Sequence, residues 1–303
     1  MKFEVTILGS SSATPIYNRN PTSQVLNINE RLYLIDCGEG TQQQMLRFDI
    51  RGSRIDHIFI SHLHGDHYLG LVGLLSSLHL NGRKKALKLF GPPQLMEIID
   101  LQFKYSETRL QYELEFYPTD ATKSQVIIAN EDVTIETIPL DHRIACTGFL
   151  FREKKRLRKL LKDDLEKIGV PIEFYTALKK GADYTDAKGK LYKNDVLTVD
   201  SDAPKTYAYC SDTMFNEQYF EQIANADLLY HEATFLHNML DRANETHHTT
   251  ALQAAQIAAT VNAKRLLIGH FSARYKTLDE LLEEAQSIFP NTGLAIEGRT
   301  FAI

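Results

Sequence analysis

The stretch SHLHGDHYLG, Ser61 to Gly70, places three histidines and an aspartate within six residues. Its flanks decide how it is read. RIDHIFISH ahead of it is apolar and β-rich and reads as a buried strand. LGLVGLLSSLHL behind it reads as an apolar helix. A loop that leaves a strand and enters a helix lies at the edge of an α/β sheet where active sites are usually built. His62 and His64 are two apart, so in an extended segment both project to one side and can hold one ion. Asp66 and His67 follow a glycine and can turn toward a second ion. Imidazole with carboxylate, and no thiol, suits zinc or a similar divalent metal. A solvated turn that merely contains histidines would not be framed by a buried strand and an apolar helix.

The same pattern extends in both directions. KFEVTIL, SQVLNI and RLYLIDCG are strand-like, and GEGTQQQMLRF reads as a helix with Gly38 and Gly40 at its start. In the second half TYAYCSDT, ADLLYHEAT and AKRLLIGHFS read as strands, with TTALQAAQIAATV and TLDELLEEAQSIF as helices. Two such halves imply an α/β fold in which two sheets pack face to face with helices outside, a four-layer αββα sandwich. A chain of 303 residues fits one such domain, residues 1–303.

The histidine loop alone cannot fill two zinc shells. His142 in TIPLDHRIACTG, Asp212 in YCSDT and His270 in LLIGHFS each close an apolar strand. Any one of them alone would be an ordinary polar turn residue. Four strand ends offering compatible ligands point to a shared centre.

One segment breaks the pattern. FREKKRLRKLLK, from Phe151, carries seven basic residues and one acidic one. Leu157, Leu160, Leu161, Leu165 and Ile168 recur at helical spacing, and GVP stops the run. This predicts a basic amphipathic helix, followed by a hairpin-like tip, LKKGADYTDAKGKLYK. The segment 152–195 is therefore expected to be an inserted flexible arm. Arg152, Lys154, Lys155, Arg156, Arg158 and Lys159 are its candidate phosphate contacts.

The net charge is −5, which on its own argues against a nucleic-acid partner. Two Zn²⁺ would bring it to about −1 before any bound hydroxide is counted, and the arm concentrates positive charge locally. The N-terminal apolar run is too short for a signal peptide, and no run reaches the roughly eighteen apolar residues of a membrane span. Cys37, Cys146 and Cys210 are scattered without disulfide or zinc-knuckle spacing. A reducing cytoplasm, with no membrane partner, is expected.

Taken in order, LGSSSATP, DCGEGTQQQM, SHLHGDHYLG, LDH at 140–142, SDT at 211–213, HEAT, HHTTALQAA and GHFSARY make the sequence resemble the RNase Z family. These are zinc-dependent tRNA 3′ endonucleases of the metallo-β-lactamase fold. The match runs over essentially the whole chain. The histidine loop alone gives only the superfamily, and GEGTQ, HEAT and the HTT helix start narrow it. The resemblance implies two Zn²⁺ per subunit. His62, His64 and His142 would hold the first, Asp66, His67 and His270 the second, and Asp212 would bridge them. It also implies that Asp66 takes the attacking water's proton and that His248, oriented by Glu232, protonates the leaving ribose oxygen. His248 is preferred to His247 because it directly precedes the two threonines. Arg274 in SARY is a further candidate phosphate contact.

The substrate implied is precursor tRNA, gripped at its elbow by the arm. The family is typically homodimeric, with the arm of one subunit serving the other's site. Two departures stand out. GVPIEFYTALKKG keeps the family's LKKG but lacks the usual Gly-Pro. Tyr17 in PIYNRN stands where a basic residue is common, in a loop linked to handling of the CCA end. His231, His79 and His237 read as structural, and His57 as a surface residue ahead of a strand. The rivals are a general binuclear-zinc phosphodiesterase or ester hydrolase of the same fold, and a non-catalytic RNA-binding relative. The basic arm argues against the first and the complete ligand set against the second. Lactamases of this fold usually have Cys where Asp212 stands, and oxygen-reducing iron relatives a carboxylate where His64 stands.

Overall fold

Apolar alternation builds the centre of the fold. In the computed structural model, which describes residues 2–303, Phe3, Val5 and Ile7 are buried against Tyr33, Ile35, Phe59 and Phe90. Facing them across the same core are Phe149, Phe151, Tyr207, Tyr209 and Tyr230. Their sequence neighbours Leu8, Leu34, Ala208 and Leu229 belong to two other apolar clusters. Side chains alternate sides along a strand, so each strand contributes to two layers.

The strands, in chain order, are β1 (Phe3–Gly9), β2 (Ser23–Ile28), β3 (Arg31–Ile35), β4 (Ile55–Phe59), β5 (Leu87–Gly91) and β6 (Leu114–Pro118). There follow β7 (Val126–Ala129), β8 (Val133–Leu140), β9 (Cys146–Glu153) and four two-residue strands, β10 (Lys159–Leu160), β11 (Tyr184–Thr185), β12 (Leu191–Tyr192) and β13 (Thr198–Val199). The chain ends with β14 (Thr206–Cys210), β15 (Leu228–Glu232), β16 (Leu266–Gly269), β17 (Thr292–Leu294) and β18 (Thr300–Ala302). One seven-stranded sheet has the order β18-β1-β2-β3-β4-β5-β6, and the other β17-β16-β15-β14-β9-β8-β7. Helices Thr41–Arg47, Leu71–Leu80 and Leu95–Tyr105 cover the outer face of the first. Helices Ala251–Thr260 and Asp279–Gln286 cover the second. This is the expected αββα sandwich.

The chain divides into two compact units. The sandwich comprises the residues up to Arg152 and from Lys205 on; the other unit is Glu153–Pro204. The smaller unit has an apolar cluster of its own, Leu165, Val170, Leu178, Tyr184 and Leu197, flanked by Leu160, Ile168, Tyr175 and Tyr192. Its tip is a hairpin, β11 pairing antiparallel with β12.

The basic helix expected from Phe151 onward is not formed. Arg152 and Glu153 finish β9, residues 154–158 have no regular structure, and Lys159–Leu160 pairs with Thr198–Val199. The helix starts only at Lys162 and runs to Ile168. Electrostatics explains the shift. A helix N-terminus carries partial positive charge, which Asp163 and Asp164 in its first turn complement and a run of Arg and Lys would oppose. The basic residues are drawn instead to the returning strand: Arg158 pairs with Asp200 at 2.5 Å and Lys159 with Asp202 at 3.0 Å. Gly169 closes the helix at φ 75°, its N–H donating to the Leu165 carbonyl. His57 also differs from expectation. It lies within β4, half-buried, its ring 5.2 Å from Tyr33 and 6.5 Å from Phe90.

Two loops of the first sheet are locked together beneath the histidine stretch. The Cys37 N–H donates to the His67 carbonyl at 2.8 Å, and the Gly70 N–H to the Cys37 carbonyl at 2.9 Å. A Cβ at Gly70 would lie 2.2 Å from the Gly38 oxygen, so only glycine allows this approach. Gly70→Ala is expected to cost about 1–3 kcal/mol of stability, as overpacking does, measured by urea unfolding. A change within about 0.5 kcal/mol would show that the loops part freely.

Candidate metal centre

Six strands deliver polar residues just at or past their C-terminal ends: Asp36 after β3, Ser61 and His62 after β4, His142 after β8, Asp212 after β14, Glu232 closing β15 and His270 after β16. The short helix Gly65–Tyr68 adds Asp66 and His67. All seven expected ligands converge.

They form two triads about one carboxylate. His62 Nε2 lies 3.0 Å from His64 Nδ1, which lies 3.1 Å from His142 Nε2. Opposite, His67 Nε2 lies 3.3 Å from His270 Nε2, and Asp66 Oδ2 is 3.5 Å and 3.3 Å from those two nitrogens. Asp212 turns Oδ2 to the first triad, 3.6 Å from His62 and 3.8 Å from His142. Its Oδ1 faces the second, 3.4 Å from His67 and 3.2 Å from His270.

The donors fit divalent cations. His142 Nδ1 donates to the His247 carbonyl at 2.9 Å, leaving Nε2 as a bare acceptor aimed at another imidazole nitrogen. Burial pushes the His142 pKa down to about 4, so the ring is neutral, as a ligand must be. Burial likewise lowers His62, helped by the neighbouring His67. Asp212 is buried, and its Oδ1 has no hydrogen-bond partner. Despite burial, His67 is pushed up by Asp212, Asp66 and Asp36, the response of a titratable group to a site that wants positive charge.

A second ring of contacts holds the donors. Asp36, fully buried, accepts from His67 Nδ1 at 2.8 Å, from the Ser61 N–H at 2.7 Å, from Ser61 Oγ at 2.9 Å and from the Tyr209 hydroxyl at 2.6 Å. The His67 Nδ1–H so fixed leaves Nε2 for a metal. Thr234 Oγ1 sits 2.9 Å from His270 Nδ1. The Ala13 N–H donates to Asp66 Oδ2 at 2.7 Å. Asp36, Thr234 and Ala13 escaped the sequence reading. Asp36 had a signal, since it follows an apolar strand as several of the expected ligands do; the Ala13 and Thr234 contacts arise only from folding.

His248 lies beside this cluster, its ring 5.4 Å from His270 and 5.2 Å from His142. Its Nδ1 is 2.9 Å from Glu232 Oε1. Burial disfavours the imidazolium, but the Glu232 charge and hydrogen bond outweigh it and raise the pKa to about 9. Glu232 is itself fixed by the N–H groups of Thr213, Thr249 and Thr234 and by the Thr234 hydroxyl. His247 faces elsewhere: at φ 54° it caps helix Leu240–Thr246, with Nδ1 3.2 Å from Asp141. The cluster opens on a cavity of about 470 Å³ whose wall includes Arg143, Arg242 and Arg274. Arg274 is exposed and makes no ion pair among the described residues.

Relatives give this geometry a family. A "Ribonuclease Z" of Cytophaga hutchinsonii is 50% identical over 305 residues, covering 100% of this chain and 97% of its own. One from Bacteroides fragilis is 46% identical over 296 residues, covering 98% and 97%. The chain belongs to the ribonuclease Z family. The solved structure of the short form of human tRNase Z (ELAC1) is 26% identical, with a TM-score of 0.72 and 99% of each chain covered. Residues 3–159 also match the family model described as anti-Pycsar protein Apyc1, so this half of the chain belongs to that family as well.

Asp212→Ala is expected to abolish binding at both triads. Asp36→Asn, which keeps shape but removes the charge behind His67, is expected to weaken metal binding about 10–100-fold. Competition against a chromogenic chelator measures both. Full metal content in the Asp212 variant would refute the shared carboxylate.

Proposed function

We propose that this chain is a zinc-dependent endoribonuclease that removes the 3′ trailer from precursor tRNA, leaving a tRNA 3′-hydroxyl and a trailer 5′-phosphate. The observation that carries the reading is the pair of triads sharing Asp212, with the His248–Glu232 couple against them in one cavity. The tRNA specificity rests on the relatives and on the smaller unit.

His62, His64 and His142 would hold one Zn²⁺, Asp66, His67 and His270 the other, with Asp212 between. Such ions supply a water of lowered pKa and neutralise charge on the phosphate. Asp66 is held ionised: burial opposes this, but His67 and His270 prevail. It can accept the attacking water's proton while the Ala13 N–H keeps its Oδ2 in place. The ribose 3′-oxygen is a poor leaving group unless protonated. His248 keeps Nδ1 toward Glu232, so Nε2 is the atom that delivers the proton.

Residues 153–204 hold twelve basic and ten acidic residues, so their role depends on which cations are free. Arg152 pairs with Glu136, Arg156 with Glu153, Arg158 with Asp200 and Lys159 with Asp202. Lys154, Lys155, Lys162, Lys179, Lys180 and Lys188 have no ion-pair partner among the described residues, and they are the better phosphate contacts. No helix among the described residues is long and apolar enough to cross a membrane. A homodimer in the cytoplasm completes the reading.

Metal-loaded protein is expected to cut a precursor tRNA at the end of its acceptor stem, and a chelator to stop it. Activity on a small phosphodiester with the precursor left intact would favour the general phosphodiesterase instead. His248→Ala should retain both metals yet lose about 10²–10⁴ in rate. Glu232→Gln removes what raises the His248 pKa, and burial then lowers it. Less of the acid is protonated at a given alkaline pH, so the alkaline limb of the kcat profile should move to lower pH. An unmoved limb would take Glu232 and His248 out of the protonation step.

A further inference from the structure

The cavity wall carries an arginine that no part of the metal centre uses. Arg143 follows the ligand His142 directly. The backbone leading to it is pinned. The Asp141 N–H donates to Thr213 Oγ1 at 3.1 Å, the Asp141 carbonyl accepts from the Met214 N–H at 2.8 Å, and His142 Nδ1 donates to His247. Arg143 is exposed on the cavity wall shared with His64 and Asp66. It makes no ion pair and no side-chain hydrogen bond among the described residues. The nearest carboxylate in sequence, Asp141, is engaged with His247 at 3.2 Å.

An exposed guanidinium with no carboxylate partner is free to take an anion. Arg242, on the same wall, is partly neutralised by Glu245 at 3.1 Å. Arg143 has no such neighbour. Its planar fork matches phosphate oxygens, and its exposure sets it at the rim of the cavity, away from the buried floor where Asp212 lies.

We propose that Arg143 is a phosphate-binding residue, whose guanidinium takes the RNA phosphate flanking the one that is cut. The assignment rests on the nuclease reading above. Arg143 secures the strand and leaves the reacting phosphodiester to the metal ligands and His248. Its contribution is binding that substrate and transition state share, so it acts on KM and little on kcat.

The test is kcat/KM for precursor-tRNA cleavage across a KCl series, for wild type, Arg143→Ala, Arg143→Lys and Arg51→Ala. Arg51 is exposed outside this cavity and controls for the loss of one positive charge. Hydrolysis of bis(p-nitrophenyl) phosphate is followed in parallel. Arg143→Ala should lower kcat/KM about tenfold, mostly through KM, and reduce the salt slope by about 0.7–0.9. Arg143→Lys should restore most of the slope, Arg51→Ala should leave it as in wild type, and the small diester should be hydrolysed at the wild-type rate. A wild type that cuts precursor tRNA while Arg143→Ala keeps the full salt slope overturns the assignment alone, as does an equal loss on the small diester. A wild type that leaves precursor tRNA intact overturns the nuclease reading and this assignment with it.

Discussion

Asp212 is the group on which the arrangement depends. It is a buried carboxylate with one oxygen toward three imidazoles and the other toward two imidazoles and near a second carboxylate. An ionised group in such a place costs several kcal/mol unless positive charge surrounds it. His67, pushed up by Asp212, Asp66 and Asp36, provides part of that charge, and the donor geometry calls for divalent cations to provide the rest. The two sheets meet this demand by ending their strands along one edge, so that ligands distant in sequence become neighbours.

Convergence alone would leave the rings free to turn. Asp36, Thr234 and the His247 carbonyl occupy the far nitrogens of His67, His270 and His142, which sets both tautomer and orientation. Glu232 does the same for His248, and four donors hold Glu232 in turn. The Gly38–Gly70 approach fixes the loops that carry Asp36 and His67. The site is therefore rigid by construction, as chemistry on a phosphodiester through aligned groups requires.

Much of this was legible in the sequence, because strands that alternate or run apolar and then end in His or Asp announce a sheet edge. His62, His64, Asp66, His67, His142, Asp212 and His270 follow from that pattern, and their division into two sets follows from the family resemblance. The supporting contacts were not legible. The Ala13 N–H reaches Asp66 across 53 positions, and nothing local marks it. The arm shows the opposite failure. Its leucine spacing was helical, yet Lys159 and Leu160 pair with a strand some forty residues later, because acidic residues beside that strand attract the basic run. Long-range pairing overrode a local pattern.

The structure thus separates two tasks. The sandwich concentrates the candidate metal ligands and the His248–Glu232 couple at one strand edge. Residues 153–204 form a small unit with its own apolar cluster and several free lysines. Whether chemistry resides where this account puts it can be settled by anomalous X-ray scattering from crystals grown without chelator. The account predicts two peaks, one on either side of the Asp212 carboxylate, the first bounded by His62, His64 and His142 and the second by Asp66, His67 and His270. No peak, or a single ion that leaves one triad bare, would contradict it.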